Sequence, residues 1–314
     1  MDFGLTDDQQ VLLTSLQSLL LPFRTPPAGA HDYVQYSADL QQELTNSGFL
    51  EVASQPEFGP LEAALLIEEI ASCPVSVEIG SALITPLINR WAGPIAVIWE
   101  LGKPTRFLPI AKTVCVMRGD SVLLGTADPR NIEQVDSVVA YPLGCLREIP
   151  HDSVHVTEKA AAAIRRRALI AIAAEAAGAM RGALHQTVQY VKDRQVFGQS
   201  LAQFQAVQHR LAEDAQLVHA CRSLALRAAW QDDDVSAAVA CLYAQDVMRK
   251  VIYDCHQFTG ATGLTLEYPL HLWTYRLKHL QGEARGKGRQ ANLVSEYVWR
   301  GQESGSPPMV ASGV

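Results

Sequence analysis

No stretch of this sequence supplies the roughly 20 uninterrupted apolar residues of a membrane span, and the opening MDFGLTDDQQ is acidic and polar where a secretory leader is basic and then apolar. The expectation is a soluble, cytoplasmic protein. Basic charge is also short: 26 Lys and Arg against 33 Asp and Glu leave a formal charge of −7. A phosphate backbone is held by a basic field, and Arg165 to Arg167 form only a short local cluster, which speaks against nucleic acid as a partner. The six cysteines (Cys73, Cys115, Cys145, Cys221, Cys241, Cys255) contain no Cys-x-x-Cys pair. They fit neither a disulfide framework nor a zinc site, and read as reduced, mostly buried thiols with no metal to hold. No internal repeat is present.

What is there is a globular composition, 48% hydrophobic and 19% charged over 314 residues, enough for two or three regions with sizeable cores. Thr6 and Gln9 form a candidate capping box ahead of helically spaced leucines up to Pro22. A second helical pattern runs through Leu40 and Leu44 to Asn46 and Gly48, and LEAALLIEEIASC and IGSALITPLINRWAG follow as apolar stretches. Residues 1–93 are thus expected to be helical. From 94 to 152 the pattern changes to short β-branched runs (AVIWEL, TVCVMRG, SVLLGTA, DSVVAYPL), with a hairpin turn at Arg118 to Ser121. Residues 153–300 read as long helices, the first about 35 residues without proline and the third with Asp234 as candidate N-cap, forming a four-helix bundle. The tail 301–314, rich in Ser, Gly and Pro, is expected to be disordered. The fold class is mainly α with a small β domain.

Two segments carry chemistry. DRQVFGQSLAQFQAVQHRLAEDA joins two helices and gathers Arg194, Phe197, Gly198 and Gln205 around a helix start. Free amides there, with a guanidinium that forks onto two oxygens, suit a pyrophosphate, although such a loop more often only turns the chain. QFTGATGLTLEYPLHLWTYR places Gln257, Gly260 and Gly263 before Glu267. A carboxylate partly desolvated by Leu264, Leu266, Tyr268 and Trp273 would have a raised pKa suited to a general base. The alternative is a surface glutamate favoured by the dipole of the helix it precedes.

The order and spacing of Arg-x-x-Phe-Gly, Phe-Gln-x-x-Gln-His and Gln-x-x-Gly-x-x-Gly-x-x-x-Glu-Tyr-Pro resemble those of acyl-CoA dehydrogenases, and MDFGLTDDQQ, GFLEVA and FGPLEAALLIEEIA resemble that family's first helical domain. The resemblance implies FAD as cofactor, with Arg194 on its pyrophosphate across a subunit interface. Phe197, Gly198 and Gln205 would line it, and Gln257, Gly260 and Gly263 would meet its adenosine end. It puts Glu267 forward as the base that removes the α-proton of an acyl-CoA, giving a 2,3-enoyl-CoA in β-oxidation, with electrons passed to an electron-transfer flavoprotein. The alternative base position, near Ala168, offers no carboxylate.

The sequence also departs from the family. The Thr-Glu-Pro-x-x-Gly-Ser-Asp stretch of a complete middle domain is missing, and LQGEARGKGRQ stands where Tyr-Glu-Gly-Thr is usual. This pattern resembles the shortened subunits of actinobacterial sterol-degrading acyl-CoA dehydrogenases, which implies an α2β2 heterotetramer with a second such subunit and a bulky, sterol-derived CoA ester. Two other readings stay open: a non-catalytic structural subunit of such a complex, and a flavin-dependent monooxygenase on the same fold.

Overall fold

The computed structural model describes residues 4–27, 33–88 and 91–303. The first helix, α1 (Asp7–Leu20), opens on the expected capping box: Thr6 accepts from the Gln9 amide at 3.3 Å, and the Gln9 side chain accepts from the Thr6 amide at 3.1 Å. It buries Leu13, Leu16 and Leu20 along one stripe. Ser37 caps α2 (Ala38–Asn46), which buries Leu40 and Leu44. Pro60 opens α3 (Pro60–Ala71), where its missing N–H costs nothing, and Glu62 accepts from the Gly59 amide at 2.8 Å. Because α3 is buried on nearly every side, its Glu68 and Glu69 need partners. Arg181 reaches them at 2.6 and 2.7 Å, and Arg24 reaches Glu69 at 2.5 Å. The next apolar stretch does not form one helix. It gives only α4 (Ser81–Ile84) and a 3-10 turn at Thr85–Leu87, since Pro86 removes a donor and fixes the turn.

The middle region contains β1 (Ile95–Ile98), β2 (Thr105–Arg106), β3 (Thr113–Arg118), β4 (Ser121–Thr126), β5 (Ile132–Val135), β6 (Leu143–Leu146) and β7 (Val154–His155). One sheet has the order β1-β3-β4-β7, the other β2-β6-β5. β3 and β4 form the expected hairpin, with Val116 opposite Leu123 and Gly119 at φ 58 in its two-residue turn. DSVVAYPL is not a strand as expected. Ala140 sits at φ 66 and makes only an isolated bridge with Val34, Val138 is exposed, and the ladder begins at Leu143.

Thr157 caps α5 (Glu158–Asp193), which spans the molecule. The hairpin β8 (Gln195–Val196) and β9 (Gln199–Ser200) leads into α6 (Gln205–Gln231). Asp233, one residue before the expected cap, accepts from the Ser236 amide at 2.8 Å and opens α7 (Asp234–Gly263). α7 runs past Gln257 and kinks at Gly260 (φ 58, ψ −144). α8 (His271–Gly282) and α9 (Gly286–Glu303) close the bundle. The tail from residue 304 lies outside the described residues.

One core joins α1–α3 to the bundle, and a second is formed where β1, β3 and β4 pack on Ala161, Ile164 and Ala168 of α5. Small residues let α5 approach α3 closely: a Cβ on Gly178 would lie 2.1 Å from the Glu68 carbonyl oxygen. Arg276, fully buried, donates to the carbonyls of Val75, Ala71 and Cys73 and ties α8 to the end of α3.

Candidate functional site

The residues singled out in the two motifs gather at one end of the bundle. Arg194 ends α5; its amide donates to the Tyr190 carbonyl and its carbonyl accepts from Leu201, both at 2.9 Å, which closes the β8–β9 hairpin. Both central residues of that hairpin are left-handed, Phe197 at φ 50 and Gly198 at φ 81. A glycine takes this conformation without cost, whereas a bulky residue there is strained by about 1–2 kcal/mol. Phe197 is also 97% exposed, so no packing within the chain offsets that strain. Around Gly198 the space is open: nothing lies within 4 Å of where a Cβ would stand. Arg194 is exposed and makes no ion pair among the described residues.

Gln205 is the first residue of α6, an exposed helix start without a side-chain cap. Arg210, one turn on, pairs with Asp254 of α7, and its guanidinium lies 5.2 Å over the Phe258 ring. Lys250 bridges Asp214 at 2.9 Å and Asp254 at 2.8 Å. These contacts bring exposed Gln257 and Gly260 beside the start of α6. Gly260 faces open space, and its φ of 58 favours glycine. Gly263 differs: it is buried, and a Cβ would meet Thr259 Oγ1 at 1.9 Å, so packing within its own helix fixes it. Exposed backbone at a left-handed glycine, an uncapped helix start and an unpaired guanidinium fit the pyrophosphate of a dinucleotide. All of it faces outward.

Glu267 lies in the turn between α7 and α8 at this same end, and it is exposed. The apolar surround expected for it is dispersed. Leu264 is 71% exposed, Trp273 is buried and donates to the Ser72 carbonyl at 2.9 Å, and the Tyr268 hydroxyl donates to the Gln186 carbonyl at 3.1 Å while its ring packs on Tyr190. The chain's own side chains therefore leave the Glu267 carboxylate in water.

A further set of buried carboxylates sits elsewhere, between the sheets and α5. At about 1.5 Å per residue, Ala168 in that cleft is about 33 Å along α5 from Tyr190 beside the Glu267 turn. Arg106 donates to Glu175 at 2.5 Å and to Glu283 at 2.9 Å, the Tyr141 hydroxyl donates to Glu175 at 2.7 Å, and the guanidinium lies 5.2 Å from the Tyr141 ring. Burial pushes the Glu283 carboxyl up. Burial also opposes the charge on Arg106, but Glu175 and Glu283 outweigh it and hold the guanidinium well above its usual value. His279, held beside Tyr141, is lowered to about 4 by burial and then by Arg106. Glu78, buried and raised, accepts from the amides of Ser81 at 2.9 Å and Ile95 at 3.1 Å. These carboxylates are tied into ion pairs and backbone amides.

The sequence reading missed this network. Its signal was Glu175, a lone carboxylate in the apolar run ALIAIAAEAAGAM, where burial demands a partner. Among the described residues, no helix is long and apolar enough to cross a membrane.

Residues 165–282 match the family model described as acyl-CoA dehydrogenase, C-terminal domain. The probable acyl-CoA dehydrogenase FadE25 of Mycobacterium tuberculosis is 42% identical over 106 residues, 32% of this chain and 27% of that protein. The matched stretch is thus about a quarter of that relative's length. The solved ChsE4-ChsE5 complex from Mycobacterium tuberculosis superposes with a TM-score of 0.80 at 18% identity, covering 95% of this chain and 99% of that one. The Tcur3481-Tcur3483 steroid ACAD gives a TM-score of 0.77 at 21% identity, covering 95% and 99%. At these identities the solved structures establish the fold: residues 165–282 match the acyl-CoA dehydrogenase C-terminal domain, in a chain that carries the acyl-CoA dehydrogenase fold.

Proposed function

We propose that this chain is a subunit of a heteromeric, FAD-dependent acyl-CoA dehydrogenase, in which its bundle end completes a flavin site whose remainder lies on a second acyl-CoA dehydrogenase-like subunit. The observation that carries this reading is the strained, fully exposed Phe197 beside Arg194 and Gly198. Backbone strain that the chain's own packing does not repay belongs at contacts made with something else. Arg194 would fork onto the pyrophosphate, Phe197 would cover the cofactor, and Gln205, Gln257 and the Gly260 backbone would hold its adenosine end. When bound, FAD supplies the acceptor for the β-hydride of an acyl-CoA as the α-proton is removed, giving a 2,3-enoyl-CoA.

The base comes from the partner in this reading. The chain's own cleft carboxylates are occupied, and Glu267 lacks a desolvated setting. The second reading keeps Glu267 as the base, with the partner covering it; its support is that Glu267 shares the bundle end with the flavin residues. Glu267→Gln in the reconstituted complex separates the two. Turnover within about twofold of wild type leaves the base to the partner, whereas a loss of 100-fold or more at unchanged flavin content restores Glu267 to the role.

A bulky, steroid-derived CoA ester is the proposed substrate class, supported by the likeness to a steroid ACAD, with an electron-transfer flavoprotein as the proposed electron acceptor. Reduction of the complex's flavin by a steroid-side-chain CoA ester but not by butyryl-CoA would support the substrate class, and the reverse preference would contradict it.

A further inference from the structure

We propose that the buried ion ladder on the α6–α7 seam is a register lock: it sets the level at which α7 meets α6, and so positions the two halves of the flavin wall, without adding to the stability of the fold. The inference rests on the flavin reading of the bundle end.

The ladder alternates in charge across the seam. Arg210 and Asp214 stand one turn apart on α6, and Lys250, Asp254 and Phe258 follow at one-turn steps on α7. The Lys250 Nζ donates to Asp214 at 2.9 Å and to Asp254 at 2.8 Å. Arg210 donates to Asp254, and its guanidinium lies 5.2 Å over the Phe258 ring. The pairs Arg210–Asp254 and Asp214–Lys250 share a single antiparallel register. Continued to the bundle end, that register sets Gln205 level with Thr259, between Gln257 and Gly260. Arg210 and Lys250 thus act as positioning residues for those three.

The ladder specifies that level because it cannot slip. The side chains of Asp214 and Asp254 are 0% and 1% exposed, so a slide of α7 by one turn would strand buried charge without its cations. Further along, both helices bury small residues, Cys221, Ala225 and Ala228 on α6 and Ala240, Cys241 and Ala244 on α7, and uniform small side chains define a level weakly. The turn at Asp232 that joins the helices is about 27 Å along α6 from Asp214, which leaves the bundle end to be set locally. The ladder is also incompletely satisfied: the Asp214 Oδ2 is buried without a hydrogen-bond partner. An unpaired buried acceptor lowers stability, so the cluster is better explained by the geometry it enforces than by the energy it adds. Buried ion groups of this kind are commonly replaced by apolar side chains at no loss of stability, and fixing register is the role best attested for them.

Making the seam apolar with Arg210→Met, Asp214→Leu, Lys250→Met and Asp254→Leu together tests this. The urea midpoint of the chain alone should stay level or rise, while amides at 256–263 exchange with solvent at least about tenfold faster. In the complex with the partner subunit, FAD should be held at least about tenfold more weakly. Lys250→Arg keeps the ladder charged and should hold FAD within about threefold of wild type. Where the fourfold variant does not fold, Arg210→Met with Asp254→Leu removes one rung and leaves Lys250 paired with Asp214; it should act in the same direction. A fall in the urea midpoint of this two-residue variant would make the ladder a stabilising strut and overturn the proposal. Unchanged exchange, or faster exchange with FAD held as tightly as in wild type, would overturn it too. Exchange is read on the chain alone, so a failed lock is seen there separately from a wild-type complex that holds no flavin, which would overturn the site reading itself.

Discussion

Phe197 holds a conformation that suits glycine and shows its whole ring to water. Replacing it by glycine should therefore stabilise the isolated chain by up to about 1 kcal/mol in urea denaturation while weakening flavin retention in the complex. Stability and function moving together would refute a functional origin for the strain. The Arg106 pair behaves in the opposite way. Arg106→Met leaves Glu175 and Glu283 facing each other in a buried site, and a loss of about 3–5 kcal/mol is expected. His279 sets a pH dependence. Its folded value of about 4 lies below the ordinary 6.5, so the unfolded chain binds the extra proton between these values. Its contribution is complete above about pH 6.5 and falls as pH drops toward 4, by about 3 kcal/mol in all. Urea midpoints at pH 7.5 and 5.0 check this: wild type should lose more stability on acidification than His279→Phe.

The long helices were legible because their periodicity, caps and alanine content all agree, as for α5 with Thr157 and α1 with Thr6. Legibility failed where tertiary contacts overrule local pattern. Pro86 cut an apolar stretch into short turns, and the β-branched run before Leu143 was bent by Ala140. Of the site, the bundle-end grouping was readable from motif spacing, since most of its members are close in sequence. The Arg106–Glu175–Glu283 network was not, because it joins a strand, α5 and the turn after α8, and nothing local pairs positions so far apart. Gly263 illustrates a third limit: it stands in a ligand-like motif, yet its neighbours show a packing requirement. At the element scale, Gly178→Ala tests the α3–α5 contact. Helix propensity alone would favour alanine by about 1 kcal/mol, but its Cβ would strike the Glu68 carbonyl oxygen, so a net loss of about 1–3 kcal/mol is expected from thermal unfolding.

Across the whole molecule, α5 separates two chemically different ends. One is an outward-facing set of polar groups, glycines and a strained aromatic; the other is a cleft whose carboxylates are paired within the chain. In the proposed reading, a protein arranged this way would hold part of a cofactor site and leave the rest to a second chain. Five of the six thiols are buried, and burial pushes those of Cys115, Cys221 and Cys255 up to about 12, so they should resist alkylation in the native state; labelling at pH 8 before and after denaturation checks this.

The most direct test of the shared site is the flavin content of this chain purified alone, and of the complex it forms when co-expressed with an acyl-CoA dehydrogenase-like partner, each with and without Arg194→Ala. The account predicts a colourless chain alone, a yellow complex with about one FAD per pair of subunits, and at least a tenfold weaker hold on FAD when Arg194 is removed. A chain that fills with FAD by itself, or a complex that keeps its flavin undiminished without Arg194, would contradict it.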